Sequence, residues 1–263
     1  MATIALIATQ AVGTFTLRPY VFCFLALFLI GAVRDLGPKR ALLFLLWGGS
    51  VALVAELSST NVGIPFGLYH YTRETQGAEL FLSNVPLFSP LSFPFLAYAA
   101  FCLARMGLGS DSISSRRGRT SLVLVSGVLM MLLDVVIDPV AVRGNRWFLG
   151  HIFFYPDGGV YFGVPLSNFL GWLLVGWAAV GGFIAGGRSG GGSPVLGVLL
   201  YYSVLVVNLA ITVWIGEWAI AAVGILFHIA AFLLLYGVNR AVAGRWSPRL
   251  LSVSAASSGA RAP

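Results

Sequence analysis

Two aspartates interrupt an otherwise apolar stretch of the chain, "MLLDVVIDPVAV" at 131–142. Asp134 and Asp138 are four residues apart, and residues at this spacing lie on one face of a helix with their Cβ atoms about 5–6 Å apart. A carboxylate inside a membrane costs roughly 2.5–3.5 kcal/mol on the insertion scale, so such residues usually mark a functional site. Two carboxyl groups held together away from water tend to share one proton. The pair therefore predicts a general acid beside a general base.

Glu56 and Asn168 are polar residues in two other apolar stretches, "VALVAELSSTNVGIPFGLYHYT" at 51–72 and "YFGVPLSNFLGW" at 161–172. Simpler explanations exist, because a lone Asn often forms a hydrogen bond between membrane helices, and Asp138 could meet the interface at its helix end. In the predicted topology, however, these residues and the aspartate pair come from three helices to the same level of the membrane. Four converging polar groups predict a site.

The elements that must position these residues are membrane helices. Of 263 residues, 58% are hydrophobic and 10% are charged, whereas a soluble domain carries about a quarter charged residues. The long apolar runs favour helices over a β-barrel, which would show short alternating segments. We predict an all-α, polytopic membrane bundle forming one domain over 1–240, followed by a disordered cytoplasmic tail over 241–263. Its seven predicted spans are 19–33, 40–58, 87–106, 121–139, 165–186, 195–214 and 218–238.

Lys and Arg are distributed unevenly between the predicted loops, which orients the protein. Twelve of the 16 Lys and Arg residues fall on one side of the membrane, and cytoplasmic loops carry the excess of positive charge. We therefore predict an outside N-terminus, a cytoplasmic C-terminus and a site in the outer half of the bundle. The same topology accounts for the net charge of +7, so we predict no nucleic-acid partner.

Aromatic residues crowd the segments next to the polar groups. Such walls suit a long hydrophobic or polyene substrate, and their ring faces can stabilise a carbocation. The alternative is an aromatic belt at the membrane interface. The aromatic residues in question are Phe66, Tyr69, Tyr71, Trp147, Phe153, Phe154, Tyr155, Tyr161 and Phe162, together with the apolar run 85–94.

Three blocks of the sequence carry a family resemblance. They are Glu56 with "NVGIPFGLYHYT" (61–72), "DVVIDPVA" (134–141) followed by Trp147, and "YFGVPLSNFLGW" (161–172). Together they resemble the membrane-bound carotenoid hydratases of bacteria and archaea, of the bisanhydrobacterioruberin hydratase and γ-carotene or lycopene 1,2-hydratase type. Proteins of this family are often labelled "carotenoid biosynthesis protein". The resemblance extends from residue 20 to residue 240.

The resemblance implies a hydro-lyase that adds water across the C1=C2 bond of an acyclic ψ-end group, in γ-carotene, lycopene or a bisanhydrobacterioruberin-like substrate. Proton transfer to C2 would give a tertiary cation at C1, which water captures to form a 1-hydroxy carotenoid. This chemistry needs neither a metal nor a redox cofactor. The expected partners are the carotenoid in the bilayer and membrane lipids, and enzymes that modify the product are further candidates.

The reaction assigns roles to the polar and aromatic residues. One of Asp134 and Asp138 is the expected acid, and its partner or Glu56 positions the water. The predicted substrate-binding residues are Asn61, Phe66, Tyr69, Tyr71, Trp147, Tyr161, Asn168 and Trp172. We predict no metal ligand.

Several alternatives remain beside the hydratase. A small membrane lycopene cyclase also protonates ψ-ends, and a prenyltransferase of the UbiA type carries D-x-x-x-D motifs, although it needs two of them. A proton-coupled transporter or carotenoid-binding membrane protein could use the carboxyl groups as a relay. A transporter would need polar groups at the cytoplasmic side as well, where we expect almost none. A retinal protein is excluded, because the only lysine, Lys39, lies in a predicted loop.

Overall fold

The computed structural model describes residues 2–109, 114–187 and 192–244. Seven helices in these ranges are long and apolar enough to cross a membrane, which confirms the predicted all-α bundle of a multi-pass membrane protein. Each of the seven begins within five residues of its predicted start. They are α2 (Pro19–Leu36), α3 (Pro38–Val62), α4 (Phe88–Leu108), α5 (Arg116–Ala141), α6 (Leu166–Ala185), α7 (Val195–Trp214) and α8 (Trp218–Gly244). A shorter helix, α1 (Ala2–Leu17), precedes them.

The two ends of the chain differ from the seven spans. Helix α1 is apolar but too short to count among the candidate spans. Helix α8 continues to Gly244, so it includes the first residues of the segment predicted to be a disordered tail. The remainder of that tail, 245–263, lies outside the described residues, as do 110–113 between α4 and α5 and 188–191 between α6 and α7.

Helix α4 forms the centre of the bundle, because 78% of its apolar span is buried, compared with 17% for α8. Helices α5 and α6 pack against each other almost backbone to backbone. A Cβ atom added to Gly176 would lie 2.9 Å from the Cα atom of Gly127, and small residues permit such close approach between membrane helices. This contact fixes α5, which carries the two aspartates, against α6, which carries Asn168.

Two long loops cover one end of the bundle, which we call the capped end. The loop 63–87 joins α3 to α4, and the loop 142–165 joins α5 to α6. Strand β1 (His70–Tyr71) of the first loop pairs with strand β4 (Phe153–Phe154) of the second, with His70 opposite Phe154. Strands β2 (Phe81–Leu82) and β3 (Val85–Pro86) form a second small hairpin. The first pairing joins both loops into one cap.

A buried ion pair at the capped end ties the cap to the helices. Arg18, between α1 and α2, lies 3.0 Å from Glu79, and both side chains are almost fully buried. The Arg18 guanidinium also donates a hydrogen bond of 2.8 Å to the carbonyl of Leu149. Breaking such a pair would leave an uncompensated charge in the interior, so the pair holds the two cap loops against the start of α2.

A second buried ion pair lies at the opposite end of the bundle. Arg105 of α4 contacts Asp35 of α2 at 2.6 Å, and the Tyr98 hydroxyl lies 3.4 Å from the same carboxylate. If this end faces the cytoplasm, as the distribution of Lys and Arg predicts, then the expectation of almost no polar groups at the cytoplasmic side is wrong. Asp35 follows an Arg at the end of an apolar run, where its sequence position resembles that of an ordinary loop residue.

Candidate active site

A cavity opens inside the bundle beneath the cap, with an empty volume of about 1060 Å³ including its mouth. Side chains from helices α2 to α7 and from both cap loops line it. Most of these side chains are apolar or aromatic. Glu56, Ser89, Asp138 and Asn168 contribute polar groups from four different helices. An apolar cavity with a few convergent polar groups is the usual form of a small-molecule site.

One amide joins the two aspartates on the α5–α6 side of the cavity. The Asn168 side-chain nitrogen donates to Oδ2 of Asp134 and to Oδ2 of Asp138, at 2.7 Å in each case. The indole nitrogen of Trp172 donates to the same Asp138 oxygen at 3.3 Å. Asn168 and Trp172 are four residues apart on α6, as the aspartates are on α5, so two side-chain pairs face each other across the helix contact.

The two aspartates differ in their access to the cavity. Asp138 lines the cavity and keeps 9% of its surface exposed. Asp134 is fully buried and does not line the cavity, and its Oδ1 atom has no hydrogen-bond partner. Asp138 is therefore accessible to a molecule in the cavity, whereas Asp134 lies behind it.

Glu56 forms a second carboxyl cluster with residues of the cap and of α4. The Ser89 hydroxyl donates to Oε1 of Glu56 at 2.6 Å. The Tyr71 hydroxyl lies 3.2 Å from Oε2 of Glu56 and 3.0 Å from the Ser89 oxygen. The three side chains thus form a closed triangle. Burial raises the pKa of Tyr71 well above its ordinary value. The phenol therefore stays protonated and can donate a hydrogen bond.

Stacked aromatic rings form the wall between the two clusters. The rings of Phe93 and Trp172 are parallel within 8° and 4.4 Å apart, and Phe66 packs on both. Gly171 makes room for Phe66, because a Cβ atom at position 171 would lie 2.4 Å from its ring. Tyr69 packs edge to face on Tyr71 at 5.5 Å. Phe66, Tyr69, Phe93 and Trp172 all line the cavity, so this part of its wall is aromatic.

The structure brings most of the predicted site residues together. Glu56, Phe66, Tyr69, Tyr71, Asp138, Trp147, Asn168 and Trp172 all line the cavity.

Two predicted substrate-binding residues lie apart from the cavity. Asn61 is exposed, and its amide donates to the Leu57 carbonyl of its own helix at 2.6 Å. Tyr161 donates to the Val135 carbonyl at 3.3 Å and does not line the cavity. We leave both out of the proposed site.

Ser89 is a polar member of the site that the sequence prediction missed. Its only signal is a serine within the apolar run "VPLFSPLSFP" at 85–94. Among the described residues, no three His, Cys, Asp or Glu side chains come close enough together to hold a metal ion.

Comparison with known proteins gives a family match and one curated relative. The model of the family described as "Carotenoid biosynthesis protein" matches residues 15–231. The bisanhydrobacterioruberin hydratase of Haloarcula japonica is 30% identical over 162 residues, which are 62% of this chain and 48% of that protein. The chain thus spans about half the length of the curated relative that it matches. No solved structure matches.

Proposed function

The chain belongs to the carotenoid biosynthesis protein family, and on this premise we propose that it is a carotenoid hydratase. It adds water across the C1=C2 bond of an acyclic ψ-end group and releases a 1-hydroxy carotenoid. One observation carries the proposal: two separate carboxyl clusters meet in an apolar, aromatic-walled cavity inside a membrane bundle. The name of the curated relative, a hydratase, supports the same reaction type.

The reaction needs one proton donor and one proton acceptor. A proton passes from the acid to C2, the C1=C2 π bond breaks, and a tertiary cation forms at C1. A water oxygen bonds to C1 and loses a proton to the base. No electrons enter or leave, so the reaction can proceed without a redox cofactor. The faces of Phe66, Phe93 and Trp172 stabilise the cation before water captures it.

Counting hydrogens supports Glu56 as the acid. The triangle of Glu56, Tyr71 and Ser89 has three polar contacts, but the two hydroxyl groups supply only two hydrogens. With a proton on Oε2, Glu56 donates to Tyr71, Tyr71 donates to Ser89, and Ser89 donates to Oε1 of Glu56. All three contacts are then hydrogen bonds. With an ionised Glu56, one contact lacks a hydrogen.

The donors around Asp138 support it as the base. Its Oδ2 atom accepts hydrogen bonds from both Asn168 and Trp172, an arrangement that favours the charged carboxylate. We assign to the other oxygen of Asp138, Oδ1, the role of holding and deprotonating a water molecule. Asn168 and Asp134 are positioning residues, because the Asn168 amide holds Asp138 from the cavity side and also bonds to Asp134, which lies behind the cavity wall. After each turnover a proton must return from Asp138 to Glu56 through water in the cavity.

Expression in bacteria that accumulate lycopene or γ-carotene tests the proposal, with the pigments separated by chromatography and weighed by mass spectrometry. A more polar pigment heavier by one water, with an unchanged chromophore, supports the hydratase. A pigment of unchanged mass but altered chromophore would indicate a cyclase. Unaltered pigment, with the protein present in the membrane, would contradict both and favour a binding or transport protein. Asp134→Asn and Asp138→Asn variants that both hydrate normally would remove the aspartate pair from the mechanism.

A further inference from the structure

We propose that the carotenoid enters the cavity sideways from the lipid, through the gap between α2 and α7. Its ψ-end reaches the carboxyl groups while the polyene stays in the gap. This inference rests on the proposed hydratase function and adds the route and the bound position of the substrate.

Residues of α2 and α7 form the two sides of the gap. Val21 and Phe24 of α2 and Val204 and Val207 of α7 all line the cavity. Val207 also keeps 38% of its surface exposed, and Trp214, two turns along the same face of α7, is 68% exposed. Val207 lies seven residues before the end of α7 at Trp214, a depth of roughly 10 Å along the helix. The cavity therefore opens within the membrane-spanning part of the bundle.

The same two helices close against each other further from the cap. A Cβ atom added to Gly31 of α2 would lie 3.3 Å from the Cβ atom of Leu196 of α7. The gap is thus a wedge that is closed toward the opposite end and widens toward the capped end. Its apolar sides and its lipid-facing opening suit a hydrocarbon chain.

A segment of the cap, residues 143–149, roofs this wedge. On the α7 side, Arg146 donates to the Glu217 carboxylate in the turn that follows α7. On the α2 side, the Phe148 ring packs 5.7 Å from the ring of Tyr20. Because residues 143–149 are attached on both sides of the gap, they cover it at the capped end. A long substrate can therefore enter from the lipid but not from the capped end.

The length of the cavity requires the substrate to protrude. The lining residues of α7 run from Val204 to Ile211, about 10 Å of helix, whereas the hydrocarbon core of a bilayer is about 30 Å thick. A polyene of nearly that length cannot be enclosed. Only the end group and the first part of the chain fit, and the rest passes through the gap into the surrounding lipid.

A removable block at Val207 tests the route. Replacing the exposed Cys23 by Ala leaves the buried Cys102 as the remaining native thiol. In this background, Val207→Cys is treated with methyl or benzyl methanethiosulfonate in membranes that contain lycopene. The matched control is Val206→Cys, because Val206 is 61% exposed on the same helix and does not line the cavity. Mass spectrometry verifies that each thiol has reacted.

The benzyl adduct at position 207 should lower the hydration rate about tenfold or more, the methyl adduct should lower it less, and a reducing agent should restore it. Adducts at position 206 should change the rate by about twofold at most. Equal effects at both positions, or no effect at 207, would overturn the route. If the unmodified protein hydrates nothing, the proposed function fails instead. The route is then tested by lycopene retained on the purified protein, which the benzyl adduct at 207 alone should displace.

Discussion

Replacing Glu56 by Gln isolates the proton that we assign to the general acid. The amide nitrogen of Gln can donate to Tyr71, and its oxygen can accept from Ser89, so the triangle keeps its three hydrogen bonds. The volume and packing of the side chain stay almost the same. What disappears is the acidic hydrogen that would pass to C2 of the substrate. The loss should therefore appear in the chemical step and leave substrate binding unchanged.

General acid–base catalysis contributes about 10²–10⁴-fold to a rate, which corresponds to about 3–5 kcal/mol of transition-state stabilisation. Glu56→Gln should lower the hydration rate by this factor. The assay measures the 1-hydroxy product formed in membrane vesicles loaded with lycopene. A parallel run in D₂O reports the proton transfer itself, because the deuteron delivered to C2 remains in the product and raises its mass.

Ser89→Ala is the matched control, because it opens the triangle but keeps the acid. The variant loses the two hydrogen bonds that Ser89 makes, to Tyr71 and to Glu56, and should lower the rate by about 30-fold or less. Glu56→Gln hydrating at the wild-type rate would refute the hydrogen count and the assignment of Glu56. If Asp138→Asn then abolished hydration, the aspartate pair would have to supply both the acid and the base.

Three further predictions concern the other polar clusters and the helix packing. Asp138→Asn should reduce the hydration rate about 10²-fold or more, and Asp134→Asn should reduce it less, because only Asp138 lines the cavity. A larger loss of rate for Asp134→Asn would reverse the roles assigned to the two aspartates. Arg105→Met should lower the free energy of unfolding by about 3–5 kcal/mol, because it leaves Asp35 buried without its partner. Thermal unfolding in detergent should show that adding Asp35→Leu restores much of this stability. Gly176→Leu should lower thermal stability and hydration together, because a Cβ atom there lies 2.9 Å from the α5 backbone; wild-type behaviour would contradict the close α5–α6 contact.

The sequence predicts the helices and part of the site because both depend on local spacing. Apolar runs of membrane length locate the spans, and the four-residue spacing of Asp134 and Asp138 puts both carboxyl groups on one helix face. The structure adds that one amide, from Asn168, holds both of them. Their difference in exposure could not be predicted, because it depends on which neighbouring helix covers each turn.

One residue that the sequence analysis placed wrongly, Asn61, depends on helix rotation, and the contacts that it missed join residues distant in the chain. Asn61 follows Glu56 by five residues, which turns it roughly 140° around the helix and away from the cavity. Ser89 meets Glu56 across 33 residues of chain, and nothing in its own neighbourhood indicates this contact. The pair of Arg18 and Glu79 likewise joins residues 61 positions apart.

Glu56, Asp134 and Asp138, the three carboxyl groups of the proposed site, all sit at the capped end of the bundle, and this would set the order in which a carotenoid with two ψ-ends is processed. Its second end would lie in the opposite leaflet, out of reach. To present that end, the whole molecule must leave, turn over in the bilayer and carry its new hydroxyl group through the hydrocarbon. Moving an unpaired hydroxyl into such a medium costs roughly 4–8 kcal/mol. The two hydrations would then be separate encounters, and the singly hydrated carotenoid would accumulate first, as a long-lived intermediate.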